Sequence, residues 1–343
     1  MRFKGFKTGS FISVGNRGLN PTISLASTRR VNNPVWNFTL PYTFQGTVSG
    51  YTSGGRNSTS PPEVTNRIDK FPFATNANAT DVGDLTLERR AVTGQSSDVS
   101  GYTSGGYPSG GYVPPGIPPS VNIIDKFPFA ADANATDVGD LLSRRNSLAG
   151  QSSSVSGYVS GSSNVIEKFP FASNGNATDV GDLTVGRSGA GQSSTENGYT
   201  SGGSSSNVID KFPFATDANA TDVGDLTVGR VQSAGQSSST NGYTSGGNPG
   251  PGSLGGIIDK FPFASNSNAT DVGDLSSGAG AYGTGYTGPA GQSSETHGYS
   301  SGGNLFVQSL QNIVDRFSFA SDGNATDVGD LTMARAFAAG QQN

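Results

Sequence analysis

Six copies of Thr-Asp-Val-Gly-Asp set two carboxylates three residues apart: Asp81 and Asp84, Asp137 and Asp140, Asp179 and Asp182, Asp222 and Asp225, Asp271 and Asp274, Asp327 and Asp330. Paired carboxylates can hydrolyse a glycosidic bond, one as acid and the other as base or nucleophile. A catalytic pair is needed once, however, and this one recurs at equivalent positions. Arginines stand a few residues beyond five of the copies (Arg89, Arg144, Arg187, Arg230, Arg335). The acids are therefore expected in structural ion pairs or turn hydrogen bonds. The alternative is a ring of carboxylates lining a central channel and attracting cations. "DANATDVGD" (217–225) spaces oxygen side chains as a calcium loop does, but it lacks the Gly and Glu of an EF-hand, and Asn replaces the first Asp at Asn76, Asn174 and Asn266. Asn-Ala-Thr sequons begin at Asn78, Asn134, Asn176, Asn219, Asn268 and Asn324. Each lies in the same short polar stretch, so a turn role is expected ahead of glycosylation.

The 343 residues include no cysteine and one histidine, His297. Disulfides, thiolate chemistry and multi-histidine metal sites are thereby excluded. There is no nucleophile elbow or phosphate loop, so neither an enzyme nor a cofactor is expected. No apolar run reaches membrane-spanning length, and the N-terminus lacks the apolar stretch of a signal peptide. Hydrophobic residues are only 32%, but charge is also low at 14% and there are 51 glycines. That combination suggests many short strands and turns rather than disorder.

The elements that position these residues are themselves repeated. Phe-Pro-Phe begins at Phe71, Phe127, Phe169, Phe212 and Phe261, with Phe-Ser-Phe at Phe317, at spacings of 56, 42, 43, 49 and 56. Spacings near 42 fit a four-stranded propeller blade. "GYTSGG" or a near copy opens at Gly50, Gly101, Gly157, Gly198, Gly242 and Gly298, and "GQSS" at Gly94, Gly150, Gly191, Gly235 and Gly291, with "GQQ" at Gly340. The array opens on GYTSGG and closes on AAGQQ, so its C-terminal strand is expected to complete the blade begun at Gly50. AGQSS reads as the inner strand, GYTSGG as the second, NVIDKFPF as the third and ATDVGDL as the fourth. The proline of the third strand belongs near an edge or bulge.

The order of an arginine, AGQSS, an aromatic with Gly-Gly, and an aspartate-bearing third strand resembles the kelch repeat over residues 47–343. That resemblance implies an all-β, six-bladed kelch-like propeller. The wording of the repeat (DKFPFA, NATDVGDL, AGQSS) resembles arrays in virion structural proteins of marine tailed phages, cyanophages especially. It implies a non-enzymatic virion protein, tail-associated as fibre, fibre adaptor or tail tip. A capsid decoration protein and a host-surface carbohydrate-binding module are the alternatives; a glycan hydrolase is the weakest.

What differs between copies is expected to carry specificity. The connection after Gly-Gly runs from "SSN" to the segment at 107–122, with others at 56–67, 248–256 and 304–312. All follow the same strand, so they should emerge on one face, where loops commonly bind. An insertion at 276–290 should join them. Tyr107, Tyr112, Tyr282 and Tyr286 are the candidate receptor contacts. Residues 1–46 carry no repeat. They hold six basic side chains and no acid, whereas the remainder holds 15 basic against 26 acidic, a balance of −11. The body should repel nucleic acid. The segment reads as an extended basic, aromatic arm that docks on other virion proteins through Arg2, Phe3, Lys4, Phe6, Lys7, Phe11, Arg17, Arg29, Arg30, Trp36 and Phe38; a disordered tail is the alternative.

Overall fold

The computed structural model describes residues 45–57, 63–108, 120–250, 255–276, 286–305 and 309–343. They belong to the compact unit Thr43–Asn343. The arm residues named above therefore lie outside the described residues, as do Tyr112 and Tyr282. The described secondary structure is entirely β, arranged in six four-stranded antiparallel sheets and one small three-stranded sheet. The arrangement is propeller-like. None of the described elements is a helix long and apolar enough to cross a membrane.

Each four-stranded sheet takes the four repeated phrases in order. In one, Ala190–Ser193 pairs with Asn197–Ser201, which pairs with Val208–Pro213, which pairs with Thr221–Asp225. One sheet is assembled from both ends of the sequence: Ala339–Gln342 lies against Ser49–Ser53, Arg67–Pro72 and Thr80–Asp84. The third strand carries a register shift near its start, between Ile209 and Asp210 in the example, and its proline is its last residue. The terminal position accommodates a residue that cannot donate to the ladder.

The sheets pack through three sets of contacts, each of which returns to its start. First, the inner strands approach so closely that only glycine fits. A Cβ on Gly94 would meet the carbonyl oxygen of Gly340 at 2.1 Å, on Gly150 that of Gly94 at 2.2 Å, and on Gly191 that of Gly150 at 2.2 Å. Gly235, Gly291 and Gly340 continue the series, and Gly340 meets Gly291 at 2.1 Å. Second, each inner glutamine donates from Nε2 to the tyrosine carbonyl of the next sheet's second strand. Gln151 reaches Tyr199 at 2.9 Å, Gln192 reaches Tyr243 at 3.0 Å, Gln292 reaches Tyr51 at 2.9 Å and Gln341 reaches Tyr102 at 2.9 Å. Third, each of those tyrosines packs on both phenylalanines of the following sheet. Tyr158 lies 4.7 Å from Phe214, and Tyr299 stacks at 4.7 Å on Phe73 of the sheet that holds the C-terminal strand. Such pairs contribute roughly 0.5–1.5 kcal/mol each beyond area burial.

Two predictions follow from this packing. Gly191→Ala pushes a methyl into the backbone of Gly150 and should cost about 1–3 kcal/mol in chemical denaturation. Gly175→Ala, where nothing lies within 4 Å of the added Cβ, should leave the midpoint unchanged. Burial also raises the phenols of Tyr51, Tyr199 and Tyr243 to about 12. An acid whose folded pKa is raised is favoured in its protonated form, so the stability it adds is complete below pH ~10 and is lost as pH climbs toward 12. Ultraviolet titration should show these tyrosines ionising late, together with unfolding. Ionisation of all tyrosines near their ordinary value with the fold intact would contradict the packing.

Candidate functional site

The repeated acids lie on the outermost strands, where the first carboxylate of each pair and the backbone N–H of the second make structural bonds. The first of each pair accepts the amide N–H of the glycine two residues on, as in Asp137 with Gly139 at 3.1 Å and Asp327 with Gly329 at 3.0 Å. These are turn hydrogen bonds of the expected kind. The second donates its own N–H to the sequon asparagine of the next sheet: Asp84 to Asn134 at 3.1 Å, Asp182 to Asn219 at 3.1 Å and Asp330 to Asn78 at 3.1 Å. The sequon is thus an inter-sheet staple as well as part of a turn. A carboxylate ring in the channel is not what forms. The channel is lined by the inner strands' Gly, Gln, Ser and Ala. Among the described residues no three Asp, Glu or His side chains gather as a metal site would need.

The expected arginine pairs exist with different partners. Arg89, Arg187, Arg230 and Arg335 are buried against the third-strand aspartates Asp125, Asp210, Asp259 and Asp69, at 2.9, 2.7, 3.1 and 2.8 Å. In the remaining copy it is Arg145 that is buried, on Glu167, while Arg144 is exposed. The reason is topological. The arginine sits on the link that crosses to the next sheet, so it meets that sheet's third strand rather than the strand it has just left. The acid is completed by a threonine: Thr184 gives Asp210 its N–H at 3.0 Å and its hydroxyl at 2.8 Å, and Thr332 does the same for Asp69. Where Leu142 replaces the threonine, the longer Glu167 replaces the aspartate and accepts the Leu142 N–H at 2.9 Å.

The sixth position departs. Tyr286, expected as an exposed contact, is 0% exposed and occupies the arginine's place. Its hydroxyl donates to the Gly302 carbonyl, its pKa is raised by burial, and Asp315 accepts both the N–H and the hydroxyl of Ser276. The signal was available: Tyr286 stands five residues before Gly291, as Arg335 stands before Gly340.

The two ends of the channel differ. At the end where the inner strands begin, the Gly-Gly connections and the inter-sheet links meet. Tyr286–Thr287 pairs with Asn304–Leu305, which pairs with Ser309–Leu310, so the 276–290 insertion and the last Gly-Gly loop share one small sheet. The cavity here is about 130 Å³ and is lined mostly by Gly, Ala and Ser, with Leu148, Gln232 and Phe337 among the larger side chains. Tyr107 is at this end, half-buried and bridged to Arg90. At the opposite end the chain enters: Gly46 donates to the Ser293 carbonyl at 2.8 Å, and Gln45 Nε2 to that of Ser237 at 3.3 Å. The chain matches no protein-family model and no curated protein.

Proposed function

We propose that residues 47–343 form a six-bladed, kelch-like propeller that serves as a non-enzymatic structural protein of a phage virion. In this reading it is tail-associated, held by residues 1–46, with the loop face turned outward. The observation that carries the proposal is the separation of the two faces. The chain enters beside Ser237 and Ser293, whereas the connections that vary in length leave from the other end of the channel. A scaffold that attaches at one face and displays variable loops at the other needs this division. The repeated polar residues support it in a second way, because they are consumed by joints between sheets and leave the unrepeated segments to make contacts. The wording of the repeat supports a virion setting. Capsid decoration uses the same geometry; a carbohydrate-binding role is favoured by the aromatic and basic residues at the loop face.

Deleting residues 1–44 while keeping the Gly46 bonds tests the reading. The truncated protein should melt as the full chain does and fail to enter particles. Incorporation at the normal level would sink the docking role, and cleavage of a host polysaccharide by the purified protein would sink the structural one.

A further inference from the structure

The repeat provides its own frame for finding what is not repeated. The residue following each Gly-Gly phrase, or its single-glycine counterpart, is Arg56, Tyr107, Ser162, Ser204, Asn248 or Asn304. The residue following each buried arginine, or Tyr286, is Arg90, Asn146, Ser188, Val231, Thr287 or Ala336. Charge occurs once in each set, and the two charges come together at one seam. Arg56 and Ala336 exchange backbone bonds, at 2.7 and 3.0 Å; Ala91 donates to the Phe337 carbonyl at 2.8 Å; Arg90 and Tyr107 exchange bonds at 3.0 and 2.7 Å. This run of backbone pairs sets Arg56 and Arg90 side by side across two sheets.

The aromatic residues of the seam are also unrepeated. The Arg56 guanidinium lies 5.3 Å from the ring centre of Phe337, and that of Arg90 lies 5.0 Å from the ring centre of Tyr107. Stacking on a ring fixes the plane of a guanidinium and leaves its nitrogen edge to bind. Neither arginine has an ion-pair partner among the described residues. Their sequence neighbours Glu63 and Glu88 are exposed and pair with neither. The Nε of each is buried without a hydrogen-bond partner. Burial, and after it the charge of Arg90, draws the Arg56 guanidinium below its ordinary pKa. Two adjacent half-buried cations left unneutralised work against folding, whereas each buried arginine among the described residues has an acid supplied to it.

We propose that Arg56 and Arg90, held by Phe337 and Tyr107, form a binding site for an oxyanion carried on a surface polysaccharide, a uronic-acid carboxylate or a sugar phosphate. The forked nitrogens match either group, and a sugar ring attached to it would lie along the rim of the cavity beside Phe337. This deepens the proposed function by giving the outward face a ligand, and it rests on that reading.

The test is calorimetric titration of the full chain with an oligouronate, its methyl ester and a phosphorylated glucan oligomer. The charged forms should bind and the neutral ester should not; preference between carboxylate and phosphate identifies the source. Arg56→Gln and Arg90→Gln should each weaken binding about tenfold, and the pair more, with melting unchanged or raised. Tyr107→Phe should retain binding. Failure of the wild-type protein to bind any charged oligomer, equal binding of the ester, or full binding by the double variant would overturn the proposal. Particle incorporation of the double variant separates the two readings. Normal incorporation of a protein that binds no oxyanion refutes this site while leaving the virion role standing; loss of incorporation on substituting the seam refutes its assignment to an outward ligand.

Discussion

Arg187→Met should destabilise the protein by about 3–5 kcal/mol, among the largest effects of any single substitution. Asp210 is wholly buried and Arg187 nearly so, 2.7 Å apart. The guanidinium also donates to the carbonyls of Gly202 at 2.9 Å, Val185 at 3.2 Å, Thr200 at 2.9 Å and Val208 at 3.4 Å, so it satisfies four backbone acceptors besides the acid. Removing it strands a carboxylate in a site with little water, where only the Thr184 bonds remain. The cost is that of an orphaned charge rather than the worth of the pair, and a second variant distinguishes the two. Arg187→Met with Asp210→Asn removes both charges and should recover most of the loss. The molecule already contains a version of this joint without an arginine, in which Tyr286 fills the arginine's place and Asp315 accepts two bonds from Ser276. Denaturant titration of the two variants is the measurement. Equal destabilisation by the single and the double variant would show that the backbone bonds, not the charge, govern the joint.

That pairing also marks how far the sequence could be read. The strand phrases, their order and the role of AAGQQ were legible, because period-two alternation and phase between phrases survive without any long-range information. The partner of the arginine was not found from linear distance. Asp84 stands five residues from Arg89 and Asp125 stands thirty-six away, yet Asp125 is the partner. The alternation did hold the answer: Asp125 shares a strand face with Phe127 and Phe129, both buried, so it had to be buried and neutralised as well. Tyr286 was read as a loop residue because an insertion separates it from the preceding phrase. Counting back from the following glycine places it in the core. The seam of Arg56 and Arg90 was invisible for another reason. It depends on backbone pairing of Arg90 with Tyr107, 17 residues on, and of Arg56 with Ala336, 280 residues on, and no local pattern announces it.

Deleting residues 339–343 should have the larger effect of the two changes, removing the native fold rather than weakening it. Asn343 accepts the N–H groups of Thr47, Val48 and Ser49 at 2.8, 2.6 and 3.0 Å, and it donates to Ser49 at 2.9 Å. Gln341 Nε2 donates to Ser53, to the Tyr102 carbonyl and to Thr103, within 3.0 Å in each case. At about 1 kcal/mol net per bond, these seven and the strand ladder together rival the roughly 5–15 kcal/mol by which a domain is stable. The loss also reaches two neighbouring sheets. Gly94 loses the Gly340 carbonyl it packs against, Gly291 loses Gly340 on its other side, and Ser49–Ser53 becomes an unpaired edge open to association with other chains. In an open stack, removing one terminal strand would cost only that strand's contacts and the rest would melt as before. If the six sheets form a closed ring, the cut severs it, and the truncated chain should aggregate or lose its cooperative transition. Adding a peptide of residues 336–343 in trans should restore a single melt. A truncated protein that melts cooperatively at the full-length temperature would mean that the C-terminal strand does not close the ring.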